Sequence, residues 1–221
     1  PPPPPPSTTR RPPSTPPTPS SAASDVYKRQ IITSIHSDDN GITWERGDIV
    51  CRHDDNIDGT ILINPSETIP VQLEDSSVML NIRSESEIDR RLIAISPDGS
   101  SNWKIRGFDN ALLEPVCMAS ILKSNQPSEN EFKDIIFINP DNLENTMIPE
   151  GHNLRHDRKR LSAKLSFDDA KTWPINKVIE EGPSGYSDVA QLRSGEFICI
   201  YECEIVERIC DDKYILSLIH I

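Results

Sequence analysis

A basic excess, an aromatic-rich surface, metal-ligand spacings and long apolar runs are all missing from this 221-residue chain. Aromatic residues make up only 5% and the net charge is −12, which argues against nucleic acid as a partner. No run approaches the roughly 18 apolar residues a membrane span requires. The five cysteines (Cys51, Cys117, Cys199, Cys203, Cys210) form no CxxC, and neither they nor the five scattered histidines have ligand spacing. No metal and no cofactor is therefore expected. Cys117 and Cys199 lie within apolar runs and read as buried thiols.

Proline is the one residue in local surplus. Residues 1–30 hold 11 of the 20 prolines, with Ser, Thr and Arg between them. Such a tail buries too little apolar surface to fold. Residues 20–30 and 216–221 look like translated adapter sequence, so both ends are set aside as non-native. That leaves 31–215 as the folded part, read as an internal fragment of a longer protein.

Strong amphipathic helical windows are also lacking. Short runs rich in Ile, Val and Leu recur instead at 61–64, 71–73, 78–83, 91–96, 116–122, 134–139, 161–166, 188–192 and 196–202. Asp, Gly, Ser, Asn and Pro bound them, which predicts an all-β chain: sandwich, barrel or propeller. A repeat chooses among these. Ser37-Asp38-Asp39-Asn40-Gly41-Ile42-Thr43-Trp44 fits Ser-x-Asp-x-Gly-x-Thr-Trp in full. Ser96-Pro97-Asp98-Gly99-Ser100-Ser101-Asn102-Trp103 and Ser166-Phe167-Asp168-Asp169-Ala170-Lys171-Thr172-Trp173 fit in part. The copies start 59 and then 70 residues apart and contain all three tryptophans. Each Asp is expected to cap its turn through backbone N–H groups, with the Trp packed beneath.

The octapeptides resemble the Asp box of sialidase-type β-propellers. The likeness extends over roughly residues 31–202. Ser66-Glu67-Thr68-Ile69-Pro70-Val71-Gln72-Leu73 and Val78-Met79-Leu80-Asn81-Ile82-Arg83 resemble the segment that carries a catalytic glutamate and then an arginine. Gly185-Tyr186-Ser187 resembles the nucleophile loop, and Phe197-Ile198-Cys199-Ile200-Tyr201-Glu202 the strand after it. Arg158, with Arg155 and Arg160 beside it, matches the last substrate-binding arginine. The resemblance implies six blades, of which this chain supplies about three to four, an incomplete propeller. It also implies a secreted or periplasmic setting and sialylated glycans or glycoconjugates as partners.

The chemistry gives each residue type a reason. Sialic acid bears a carboxylate on its anomeric carbon, so a carboxylate nucleophile would approach against like charge. A neutral tyrosine avoids that repulsion, and sialidases are the tyrosine exception among glycosidases. Its phenol, with a pKa of about 10, needs a base. The resemblance casts Tyr186 as nucleophile, Glu67 as base, and Arg83 and Arg158 as clamps on the substrate carboxylate. Glu114, in Leu113-Glu114-Pro115-Val116-Cys117, either lines the substrate pocket or belongs to a structural loop. Asp188 reads as a loop-holding residue. The family's Arg-Ile-Pro arginine and its acid/base aspartate have no counterpart, so the fragment alone is expected to be inactive. A non-catalytic Asp-box propeller that binds sialylated glycans or proteins is the alternative.

Overall fold

The computed structural model describes residues 30–125, 134–146 and 155–203, and 215–220 as backbone only. Residues 1–29, Cys210 and His152, for which the sequence raised expectations, lie outside the described residues. Every regular element described is a strand. The first pair is β1 (Ile31–His36) and β2 (Glu45–Arg52), followed by the small hairpin of β3 (Asn56–Ile57) and β4 (Thr60–Ile61). A four-stranded antiparallel blade comes next: β5 (Ser66–Gln72), β6 (Val78–Arg83), β7 (Arg90–Ser96) and β8 (Lys104–Leu113). Six strands then follow in sequence order: β9 (Ser120–Lys123), β10 (Ile135–Pro140), β11 (Lys159–Ser166), β12 (Ile175–Gln191), β13 (Phe197–Cys203) and β14 (Ile215–His220).

The 17-residue β12 serves two sheets. Residues 175–183 pair with β11 as the fourth strand of one blade, and residues 184–191 pair with β13 as the first strand of the next. The 215–220 segment, set aside from sequence, pairs antiparallel with β13 along its length.

Each Asp box joins the third strand of a blade to the fourth, between β7 and β8 and between β11 and β12. By the same logic β1 and β2, with a box between them, are the third and fourth strands of a preceding blade. The turns are built as expected. Asp39 accepts from the N–H groups of Ile42 (3.0 Å) and Thr43 (2.8 Å) and from the Thr43 hydroxyl (2.6 Å). Asp168 repeats this with Lys171 and Thr172. In the second copy Asp98 reaches Ser100 and Ser101 instead, one residue earlier, and Asn102 takes a left-handed φ of 53° to restore the path to Trp103.

The packing of the tryptophans differs between copies. Trp103 and Trp173 lie against cores, but Trp44 is 60% exposed, as no further strand lies outside β1 and β2 among the described residues.

Three cores lie between successive sheets, so both faces of a blade are covered and its strands read as continuous apolar runs. Along β10, Ile135 and Phe137 point into the core shared with the β5–β8 blade, while Ile136 and Ile138 point into the core shared with β13. Met79 and Leu80 on β6 split the same way. The sheet at β1–β2 and the sheet at β13 share no core among the described residues. This is an open, incomplete sialidase-type propeller.

Several strand expectations change. The run 61–64 keeps only Ile61, at the end of β4, and Asn64 sits at φ 44°, outside the β region. The run 71–73 becomes the end of the longer β5. The run 116–122 shortens to β9, because Val116 sits at φ 61°, outside the β region. β2, β8 and the first half of β12 are not apparent in the sequence, because they are half-exposed and polar (Lys104-Ile105-Arg106-Gly107 opens β8). β1, which holds Ile31, Ile32 and Ile35, also lies outside the expected runs.

Candidate active site

The Asp boxes occupy one end of the blades and the candidate residues the other. Ser66, at the start of β5, pairs with Arg83 at the end of β6, and Lys159, at the start of β11, pairs with Pro183. Antiparallel pairing therefore delivers Glu67, Arg83, Arg158 and Tyr186 to a common rim.

Two of these residues occupy β-bulges, which re-aim side chains out of the regular alternation. Between the pairs Ser66–Arg83 and Thr68–Ile82, Glu67 is the extra residue of β5. Between Ser184–Cys203 and Ser187–Tyr201, Gly185 and Tyr186 together oppose Glu202. The Glu202 carboxylate accepts the Tyr186 N–H at 3.0 Å, across the face of Gly185. A Cβ at residue 185 would lie 2.4 Å from that oxygen, so glycine is what lets the carboxylate reach the bulge.

The bulged side chains meet. The Tyr186 hydroxyl donates to Glu67 Oε1 at 2.6 Å, and Glu67 Oε2 pairs with Arg83 Nη1 at 3.0 Å. Arg83 Nη1 also donates to the Ser66 hydroxyl at 3.1 Å. The Arg158 guanidinium stands 5.3 Å from the Tyr186 ring centroid, a cation–π contact, and its Nη2 donates to the Val116 carbonyl at 2.6 Å. Nε of Arg83 and Nε of Arg158 are buried donors with no acceptor. Partial burial, followed by the hydrogen bond and negative charge of Glu67, pushes the Tyr186 phenol up to about 12. The two arginines pull the other way without prevailing. The arrangement holds a neutral phenol that donates its proton in a hydrogen bond to a carboxylate, with cations on two sides.

Arg155 and Arg160 are drawn elsewhere. Arg155 donates to the Glu85 carbonyl (3.1 Å) and pairs with Asp89 (3.2 Å), while Arg160 is exposed beside Glu181. Glu114 is fully buried and does not reach the rim. It pairs with Arg91 and accepts the Cys117 N–H at 2.9 Å, and burial raises its carboxyl against the pull of Arg91. Asp188 is exposed, and its carboxylate accepts the N–H of Val189. Cys117 and Cys199 are buried thiols, pushed up by burial to about 12 and about 11.

A cleft of about 650 Å³ between β1 and β5 touches this constellation only at Ser66 and Glu67. Tyr186, Arg83 and Arg158 are not among the residues that line it. Glu202 and Ser66 received no role from sequence. The only sign of Glu202 was an acid ending the apolar run after the tyrosine loop. No cluster of His, Cys, Asp and Glu among the described residues is arranged to hold a metal ion.

Residues 18–199 match the BNR repeat-like domain. The chain belongs to that family. This BNR repeat-like chain is 28% identical over 172 residues to a sialidase of Micromonospora viridifaciens, covering 76% of itself and 23% of the relative. Among solved structures it resembles a Hadza microbial sialidase, with TM-score 0.58, 25% identity, and coverage of 76% of this chain and 29% of the other. It also shares the fold of the Trypanosoma rangeli sialidase solved with 2,3-difluorosialic acid as a covalent intermediate. There the TM-score is 0.60 at 18% identity, over 86% of this chain and 26% of that one. The BNR repeat-like chain thus spans about a quarter of the length of the relatives it matches.

Proposed function

We propose that this BNR repeat-like chain carries the nucleophile half of a retaining exo-α-sialidase, which releases terminal sialic acid from glycoconjugates. The observation that carries the reading is the 2.6 Å bond from the Tyr186 hydroxyl to Glu67, with Arg83 and Arg158 around it. Tyr186 Oη attacks the anomeric carbon while Glu67 takes the phenol proton, and the bond to the leaving oxygen breaks. The unpaired Nε donors of Arg83 and Arg158 suit the substrate carboxylate. Water then attacks the anomeric carbon as its bond to Tyr186 Oη breaks, Glu67 returns the proton to the departing phenolate, and the water's proton passes to solvent, which releases sialic acid with retention.

The leaving oxygen of a natural glycan needs a proton from a general acid. Glu67 is engaged with Tyr186 and Arg83, and Glu202 with the Tyr186 amide, so neither serves. The chain is therefore expected to be inactive on natural glycans, whereas an aryl α-sialoside, whose phenolate departs unprotonated, bypasses that requirement. Release of the aryl group by the chain, and its loss in Tyr186→Phe, is the expected result. Binding of sialic acid without any release would instead favour a non-catalytic glycan-binding propeller.

A further inference from the structure

The connection from β8 to β9 holds the most strained backbone near the site. Val116 adopts φ 61°, a left-handed conformation disfavoured for a β-branched residue, and is almost fully buried. Such outliers persist only where the surroundings over-determine them, and here the surroundings are a buried ion pair. Glu114 accepts the Cys117 N–H at 2.9 Å, and Arg91 Nη1, paired with Glu114, donates to the Cys117 carbonyl at 3.1 Å. Arg91 is itself fixed by Asn81, through Nε to the side chain at 2.6 Å and Nη2 to the carbonyl at 3.3 Å. Both backbone groups of residue 117 are therefore clamped from inside the blade, and the carbonyl of the residue before it faces Arg158.

We propose that Val116 is a positioning residue. Its carbonyl, set by the Arg91–Glu114 clamp, is the strut that keeps the Arg158 guanidinium over the ring of Tyr186. The inference rests on the proposed role of Arg158 in holding the substrate carboxylate, and it deepens that role. A long arginine side chain loses much rotamer freedom when fixed. One strong hydrogen bond to a rigid acceptor, with the cation–π contact on the other side, leaves it a single orientation before substrate arrives. The strain at Val116 then has a purpose, since a relaxed β conformation there would turn the carbonyl away. The same logic gives Glu114 a place: it acts through the loop and touches no substrate.

The test is NMR on the whole chain with labelled arginine, and it needs no sialoside. The unmodified chain should show a through-hydrogen-bond coupling from Arg158 Nη2 to the Val116 carbonyl carbon, slow guanidinium rotation, and Arg158 side-chain protons shifted by the Tyr186 ring current. Absence of the coupling overturns the proposal. Arg91→Met with Glu114→Leu removes both buried charges together, a change folds commonly tolerate, and should abolish the coupling and the ring-current shift. Arg91→Lys keeps a cation against Glu114 but loses the fork on Cys117, and should weaken both signals even if the double variant fails to fold. Val116→Gly accepts the left-handed backbone without a side chain and should retain them. Signals unchanged in a folded Arg91 variant, or lost in Val116→Gly, would contradict the strut. An intact strut beside an inert Tyr186 would count against the enzyme reading alone.

Discussion

The Tyr186 hydroxyl donates to Glu67, and burial together with the neighbouring charges sets where the phenol titrates. Burial and the Glu67 carboxylate move the phenol from 10.0 to about 12, so the folded chain favours the neutral form. The associated stability is fully present below pH 10 and disappears as pH rises from 10 to 12. Urea midpoints of the chain and of Tyr186→Phe, compared across that window, should converge at the alkaline end. A constant difference between them would contradict the coupling. On an aryl sialoside, Glu67→Gln removes the proton acceptor while keeping the shape, and turnover should fall about 100- to 10,000-fold. Tyr186, Glu67 and Arg83 stand out in the sequence through the resemblance of their segments to those of sialidases. The contacts of Glu202 and the burial of Glu114 are not legible there, because a carboxylate's partner depends on which strand lies opposite.

At the scale of elements, the bulges and the Asp-box turns do the placing. Gly185→Ala would push the Glu202 carboxylate off the Tyr186 amide. The hydrogen bond to a charged group that is lost contributes about 1.5–3 kcal/mol, and the Tyr186 amide resonance should move with it. The Asp39 carboxyl, bonded first by the Thr43 hydroxyl and then by backbone N–H groups, is lowered to about 2. A carboxyl titration should find its midpoint there and not at the ordinary 3.8, and Thr43→Val should raise it. The Asp boxes were readable because a turn is local chemistry: an acid, a hydroxyl and N–H groups within five residues. Glu67 as an extra residue in β5 was not readable, because a bulge exists only relative to the partner strand. The outer strand β8 escaped for a related reason. Its exposed positions carry polar residues that interrupt any alternation.

Across the whole molecule, stability comes from the cores between blades. Phe137 belongs to the core between the β5–β8 and β9–β12 blades and packs against Trp173 with ring centroids 5.8 Å apart and the rings tilted by 57°, while that indole donates to Asp109 of the neighbouring blade at 3.0 Å. Phe137→Ala should cost about 3–5 kcal/mol, and both blades should lose protection together in hydrogen exchange. Independent melting of the two would contradict a shared core. The same blade contacts carry β5 and β12 to one rim, so the nucleophile claim depends on the architecture as well as on Tyr186. The most direct measurement is incubation of the chain with 2,3-difluorosialic acid, followed by peptide mass spectrometry. Fluoride leaves the anomeric carbon without a general acid as Tyr186 Oη bonds to it and Glu67 takes the proton. The account predicts a fluorosialyl adduct on Tyr186, absent in Tyr186→Phe; an adduct on any other residue, or an unmodified Tyr186 in a folded chain that binds the compound, would contradict it.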